Sequence, residues 1–245
     1  MSCASIETTT LCPELESVTL GALTVWLCPK DAGPSAAQLE KDLPAAELAA
    51  AAAIRAPERH REFLVGRWLY HTLTKERAPL LKSEDGTPLW PAHLRGSITH
   101  KSGHVAFAFL GSHAALGVGI DLEDIGAMKT TFATKICRDD EAPLINGLAQ
   151  DDEAARKEWL ALMFSFKESL FKAHYPAGRT FFYFHDARIS AIDPATRRIE
   201  AEIMCTTGPQ TPSGHSIFGH YAIWEHLDRR FMLSAVVEAG QGCSI

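Results

Sequence analysis

No apolar run in this sequence is long enough to span a membrane. No basic stretch followed by an apolar run opens it either, so no secretory signal is read. Cysteine pairs are also lacking. Cys3, Cys12, Cys28, Cys137, Cys205 and Cys243 form no C-x-x-C pair, and their spacing fits no zinc site. A cytoplasmic protein with reduced thiols is expected. Positive charge is in deficit: 24 basic residues against 30 acidic ones leave −6, which excludes general nucleic-acid affinity. With 46% hydrophobic residues, disorder, collagen and a coiled coil are excluded too. The 245 residues suit one large domain or two small ones.

The charge is unevenly spread. Between Arg55 and Lys82 lie seven basic residues and three acidic ones. A solvated helical face explains most of them, and a local anion site is the sharper alternative.

Periodicity gives the organisation. Residues 1–22 read as a tail, and 23–27 as a short strand. Ala45 to Ile54 is alanine-rich and predicts a helix. Pro57 opens a second helix reaching about Glu76, with Leu64, Trp68 and Leu69 on its apolar stripe. Arg59 and Arg67 are eight apart on it and point roughly the same way. Asp85-Gly86 between prolines marks a turn. Strands are predicted over 104–110 and 116–123. Residues 130–149 read as helix broken near Pro143, and 153–174 as one long helix stopped by Pro176. Strands follow at 187–192, 198–204, 221–226 and 231–237. Helices then strands, twice over, predict an α+β fold of two halves, 23–115 and 116–245.

Four short patterns carry chemistry. In Gly119-Ile120-Asp121-Leu122-Glu123, residues two apart on a strand share a face, so Asp121 and Glu123 project together. Adjacent carboxylates repel unless a cation sits between them, and Mg²⁺ prefers such oxygen ligands. Alone, the pair reads better as a solvated strand end. In Phe164-Ser165-Phe166-Lys167-Glu168-Ser169-Leu170-Phe171-Lys172, Glu168 and Lys172 share a helix face, as a surface ion pair or as metal ligand and phosphate contact. Thr99 and His100 close Gly96-Ser97-Ile98-Thr99-His100, just ahead of a strand. His100 reads as a satisfied core histidine or as a phosphate donor. Gly86-Thr87-Pro88-Leu89-Trp90-Pro91 alone is only a turn.

Taken in order, these patterns resemble the Sfp-type phosphopantetheinyl transferases. The R-x-x-E-F-x-x-G-R run from Arg59 to Arg67, and P-x-W-P followed by G-S-I-T-H, are most similar to the bacterial branch typified by the enterobactin-synthetase component. The resemblance covers about residues 55–240. It departs at Thr87, where many members have Lys, and at Phe164, where many have Trp. It implies a pseudo-dimer of two similar α+β halves with the active site in the cleft between them. It implies transfer of phosphopantetheine from coenzyme A to a serine of an acyl-carrier or peptidyl-carrier protein, releasing adenosine 3′,5′-bisphosphate. Asp121, Glu123 and Glu168 are then implied as ligands of Mg²⁺. His100, Lys167 and Lys172, with the Thr99 hydroxyl, are implied at phosphate oxygens. Arg59, Arg67 and the turn Gly86, Thr87, Pro88 are implied at the adenosine end. Glu168 or a water is the implied acceptor of the serine proton. The segment from Lys172 to about Phe184 is the implied carrier-docking region, and a monomer is implied.

Overall fold

The computed structural model describes residues 14–206 and 213–239. Strand β1 (Glu16–Leu20) pairs with β2 (Leu23–Pro29) across a two-residue turn, where Gly21 takes φ +59. The expected tail of residues 1–22 therefore needs correcting. The alternating Val18-Thr19-Leu20 and the following glycine make an edge hairpin, while residues 1–13 lie outside the described residues. Helices α1 (Ala36–Asp42), α2 (Ala45–Ala52) and α3 (Pro57–Thr74) follow, then β3 (Leu94–Lys101) and β4 (His104–Gly111). The first sheet has the order β1-β2-β4-β3, all antiparallel.

The second sheet begins with β5 (Ala115–Asp124). After it come α4 (Ala133–Ile136), α5 (Ala142–Ala149) and α6 (Glu153–Gly178), then β6 (Ala187–Asp193), β7 (Arg198–Ile203), β8 (His215–His226) and β9 (Arg229–Ala239). Its order is β5-β9-β8-β7-β6. The fold is α+β with two sheets, in keeping with two halves.

Strand alternation decides the layering. Val105 and Phe107 of β4 pack under α3 with Val65, Trp68 and Leu69. Their neighbours Ala106 and Ala108 join Leu23, Val25 and Leu27 of β2 against Val118, Ile120 and Leu122 of β5. That cluster glues the sheets back to back. Each fully buried Leu, Ile or Val in it contributes about 1.5–3 kcal/mol. On the far side α6 packs on the second sheet through Leu162, Phe166 and Leu170. The layers therefore run helices, sheet, sheet, helices.

Three local expectations change. Thr99 and His100 lie within β3 rather than ahead of a strand. Pro143 opens α5 in its first turn, where the missing N–H costs nothing, instead of breaking a helix. Pro176 sits inside α6 and does not stop it. The last turn survives the lost bond because the Arg179 amide still donates to the Tyr175 carbonyl at 2.8 Å. Among the described residues no helix is long and apolar enough to cross a membrane.

Candidate active site

The site is built on an unusually close contact between α6 and β5. A Cβ on Gly119 would stand 1.9 Å from the Ser169 carbonyl oxygen, and one on Gly117 2.0 Å from that of Ala173. Only glycine lets the helix lie on the strand backbone there. Hydroxyls pin the contact. Ser165 Oγ donates to the Asp121 carbonyl at 3.1 Å, and Ser165 and Ser169 hydrogen-bond Ser234 Oγ at 2.7 and 2.8 Å. The face of β5 bearing Asp121 and Glu123 thus meets the turn of α6 bearing Glu168 and Lys172.

Asp121 is the centre of this corner. Its Oδ1 accepts from Lys172 Nζ at 2.6 Å and from Thr99 Oγ1 at 3.0 Å. Lys172 also donates to the Ile120 carbonyl at 3.2 Å. Asp121 Oδ2 is buried and has no hydrogen-bond partner among the described residues. Burial, then the Asp121 charge, pushes Glu123 up to about 7, although Lys101 pairs with it at 2.6 Å. Burial and Asp121 likewise raise Glu168, against the pull of Lys172. An orphaned carboxylate oxygen beside two penalised carboxylates is a position for a hard cation. Among the described residues no three His, Cys, Asp or Glu side chains already stand as a metal cage. Mg²⁺ asks for less, one or two carboxylates with substrate phosphates supplying the rest, so the donor set fits it.

Beside the corner a cleft of about 640 Å³ runs between α3, β3 and α6. Arg59, Arg67, Lys82, His100 and Lys172 line it, together with Gly86, Thr87 and Pro88. Arg67 is 3% exposed and stacks on Phe63, its guanidinium carbon 4.4 Å from the ring centroid. Its Nε and Nη2 have no hydrogen-bond partner among the described residues. Burial lowers Lys82, and the Arg67 and Arg59 charges lower it further. Burial also lowers His100, helped by Arg59, Lys172 and Lys82, while Glu62, 2.9 Å from its Nδ1, pulls the other way. Such a crowd of cations wants an anion.

The turn at Gly86, φ +85, is tied down by Asp85. One Asp85 oxygen accepts from Ser83 Oγ and from the Thr87 amide. The other accepts from Tyr175 OH at 3.1 Å and Arg179 Nη1 at 2.7 Å, across the seam on α6.

The structure thus gathers Thr99, Asp121, Glu123, Glu168 and Lys172 at one corner, and Arg59, Arg67, Gly86, Thr87, Pro88 and His100 around the adjoining cleft. Lys167 is the correction. Its side chain is 1% exposed, and Nζ donates to Glu141 Oε2 at 2.8 Å and to the Ile136 and Phe184 carbonyls at 3.0 Å. One residue away from Glu168 on a helix is a turn of about 100°, and that carries Lys167 into the core instead of the cleft. Lys82, Asp85, Tyr175 and Arg179 were missed. Lys82 stood as the last cation of the basic stretch, Asp85 only as part of a turn, and Tyr175 and Arg179 only within the implied carrier-docking segment.

Comparison with known proteins decides the family. The profile of the 4'-phosphopantetheinyl transferase superfamily matches residues 117–223, and that of the 4'-phosphopantetheinyl transferase N-terminal domain matches 45–109. The 4'-phosphopantetheinyl transferase Svp of Streptomyces mobaraensis is 30% identical over 202 residues, covering 80% of this chain and 79% of its own. The chain belongs to the 4'-phosphopantetheinyl transferase superfamily. This phosphopantetheinyl transferase is also 29% identical over 113 residues to the 4'-phosphopantetheinyl transferase PptT of Mycobacterium tuberculosis, covering 46% of this chain and 48% of that one. The crystal structure of the Thermotoga maritima holo-(acyl-carrier-protein) synthase superposes on the transferase with a TM-score of 0.36 and 21% identity, over 51% of this chain and 64% of that one.

Proposed function

We propose that this transferase moves the phosphopantetheine arm of coenzyme A to a serine of an acyl- or peptidyl-carrier protein, with Mg²⁺, releasing adenosine 3′,5′-bisphosphate. The observation that carries the reading is the buried Asp121 carboxylate. One of its oxygens is held by Lys172 and Thr99 and the other is open, beside a cleft lined with cations.

Arg59, Arg67, Lys82 and the Gly86–Pro88 turn hold the adenosine end and its 3′-phosphate. His100 and Lys172 contact the pyrophosphate, and Lys167 takes no part. Asp121, Glu123 and Glu168 would hold Mg²⁺, which when bound supplies positive charge to the pyrophosphate oxygens. The carrier serine Oγ bonds to the phosphorus nearest the pantetheine, and the bond from that phosphorus to the oxygen bridging the two phosphates breaks. Glu168 accepts the serine proton, a role its raised pKa suits. Most of the acceleration comes from positioning and charge, as in other phosphoryl-type transfers. The carrier meets the segment after Lys172, where Phe181 and Tyr183 are 60% and 71% exposed. The Arg59–Arg67 and Pro88–Pro91 patterns support placement with the enterobactin-synthetase-component branch. A cytoplasmic monomer is part of the same reading.

Mass spectrometry of an apo carrier protein, incubated with the transferase, coenzyme A and Mg²⁺, tests it. A gain of one phosphopantetheine that EDTA abolishes is expected. Coenzyme A binding without any gain, on carriers of both types, would leave a silent binding module. Breakdown of coenzyme A without a carrier would mean a hydrolase.

A further inference from the structure

Glu47 lies on α2, outside every motif that pointed to the site, and its side chain is wholly buried. A buried carboxylate needs partners. Its Oε1 accepts from the Leu80 amide at 2.7 Å, and its Oε2 accepts from His71 Nε2 at 2.9 Å. His71 is held from both sides, because its Nδ1 meets the Glu76 carbonyl oxygen at 2.7 Å. An acceptor at each ring nitrogen makes the doubly protonated imidazolium the form that satisfies both.

Arg67 meets the same carboxylate differently. Its Nε stands 3.8 Å from Glu47 Oε1, close enough for attraction and too far for a hydrogen bond. A guanidinium usually spends its donors on a carboxylate two at a time. Here stacking on Phe63 and the charge of Glu47 hold it, while Nε and Nη2 stay unengaged. The Leu80 amide and His71 fix the carboxylate and so fix that distance. The charge of Glu47 offsets the mutual repulsion of Arg67 and His71.

We infer that Glu47 is a positioning residue for anion recognition in the cleft: it holds Arg67 by charge rather than by hydrogen bonds, at the cleft wall where the 3′-phosphate of coenzyme A binds. The inference rests on the proposed role of Arg67 at that phosphate.

Transfer kinetics with coenzyme A and with 3′-dephospho-coenzyme A separate the two claims. Arg67→Ala should remove most of the preference for coenzyme A. Glu47→Gln should weaken that preference by about tenfold, the scale of one lost charge partner. The loss should fall in KM for coenzyme A, with kcat and the dephospho substrate nearly unchanged. Glu47→Asp, which keeps the charge and shortens the reach, should recover part of the preference. If R67A leaves the preference intact, the 3′-phosphate reading fails and this inference with it. If R67A collapses it and E47Q does not, the reading stands and Glu47 is only structural. Should E47Q not fold, E47D decides: a lowered preference supports the inference, and an unchanged one overturns it.

Discussion

The two ends of the seam gather like charges, but they treat them in opposite ways. At the carboxylate corner each acid but Glu168 already has a lysine, Lys101 on Glu123 and Lys172 on Asp121, and one oxygen stays open. In the cleft Arg59, Arg67 and Lys82 crowd together, and the guanidinium of Arg67 keeps two donors unused. The corner is only partly neutralised without its cation, whereas the cleft is biased toward an anion. A site of this kind can recognise a polyphosphate first and assemble the charges of the reaction afterwards.

The largest effect expected is at the corner. Asp121→Ala should lower transfer by at least about 10³-fold while the protein stays folded, because it removes the central ligand but leaves the Gly119 contact intact. Because Asp121 and Glu123 each already have a lysine, EDTA should abolish transfer with a Tm change below about 2 °C. A folded Asp121→Ala protein with near-normal transfer would remove the corner from the chemistry and end the comparison.

Two lysines on α6 sharpen it. Lys172→Met should cut kcat by about 10²-fold and cost less stability than loss of Lys167, because Lys172 is partly exposed and Thr99 still donates to Asp121. Lys167→Met should instead cost about 3–5 kcal/mol, since Glu141 would be left buried with two backbone amides but no counter-charge. Thermal unfolding and transfer rates, measured on both variants, check the split. Equal loss of kcat in both would return Lys167 to the site.

Much of this was legible in the sequence. Period two put Asp121 and Glu123 on one face and a spacing of four did the same for Glu168 and Lys172, but only the order of the patterns along the chain marked them as a site. Helix α3 was readable from Pro57 and its apolar stripe. What hid was what depends on the partner surface. Lys167 stands in the same motif as Lys172, yet helix rotation alone sends one to the core and the other to the seam. The strand at Val18 to Leu20 was lost in a polar context, since an edge strand needs only one good face. Glu47 looked like one more polar residue in an alanine-rich helix, because its three partners lie 20 to 33 positions away.

The Asp85 latch separates the cleft from the corner on a finer scale. Asp85→Asn should loosen the Gly86–Pro88 turn from Tyr175 and Arg179, raising KM for coenzyme A about threefold at constant kcat. Arg179→Met should do the same. A fall in kcat instead would tie the turn to the corner rather than to the cleft.

The smallest effect is a slope in stability with pH, to which the cleft contributes through His71. Burial works against the charge of His71, but hydrogen bonds to Glu47 and the Glu76 carbonyl outweigh it and raise the folded-state pKa. A raised pKa means that the folded protein binds the proton more tightly than the unfolded chain. The stabilisation is therefore complete below the unfolded value of about 6.5, and it is lost as pH rises through the folded value. One proton limits the slope to about 1.4 kcal/mol per pH unit. Chemical denaturation between about pH 6 and 9 should show that decline in the parent protein, and His71→Asn should flatten it. Glu123, raised to about 7 at the corner, adds to the decline in both proteins, so the part that His71→Asn removes reports His71 and its hold on Glu47. If His71→Asn keeps the full slope, the imidazolium is not what anchors Glu47, and the carboxylate is fixed by the Leu80 amide alone.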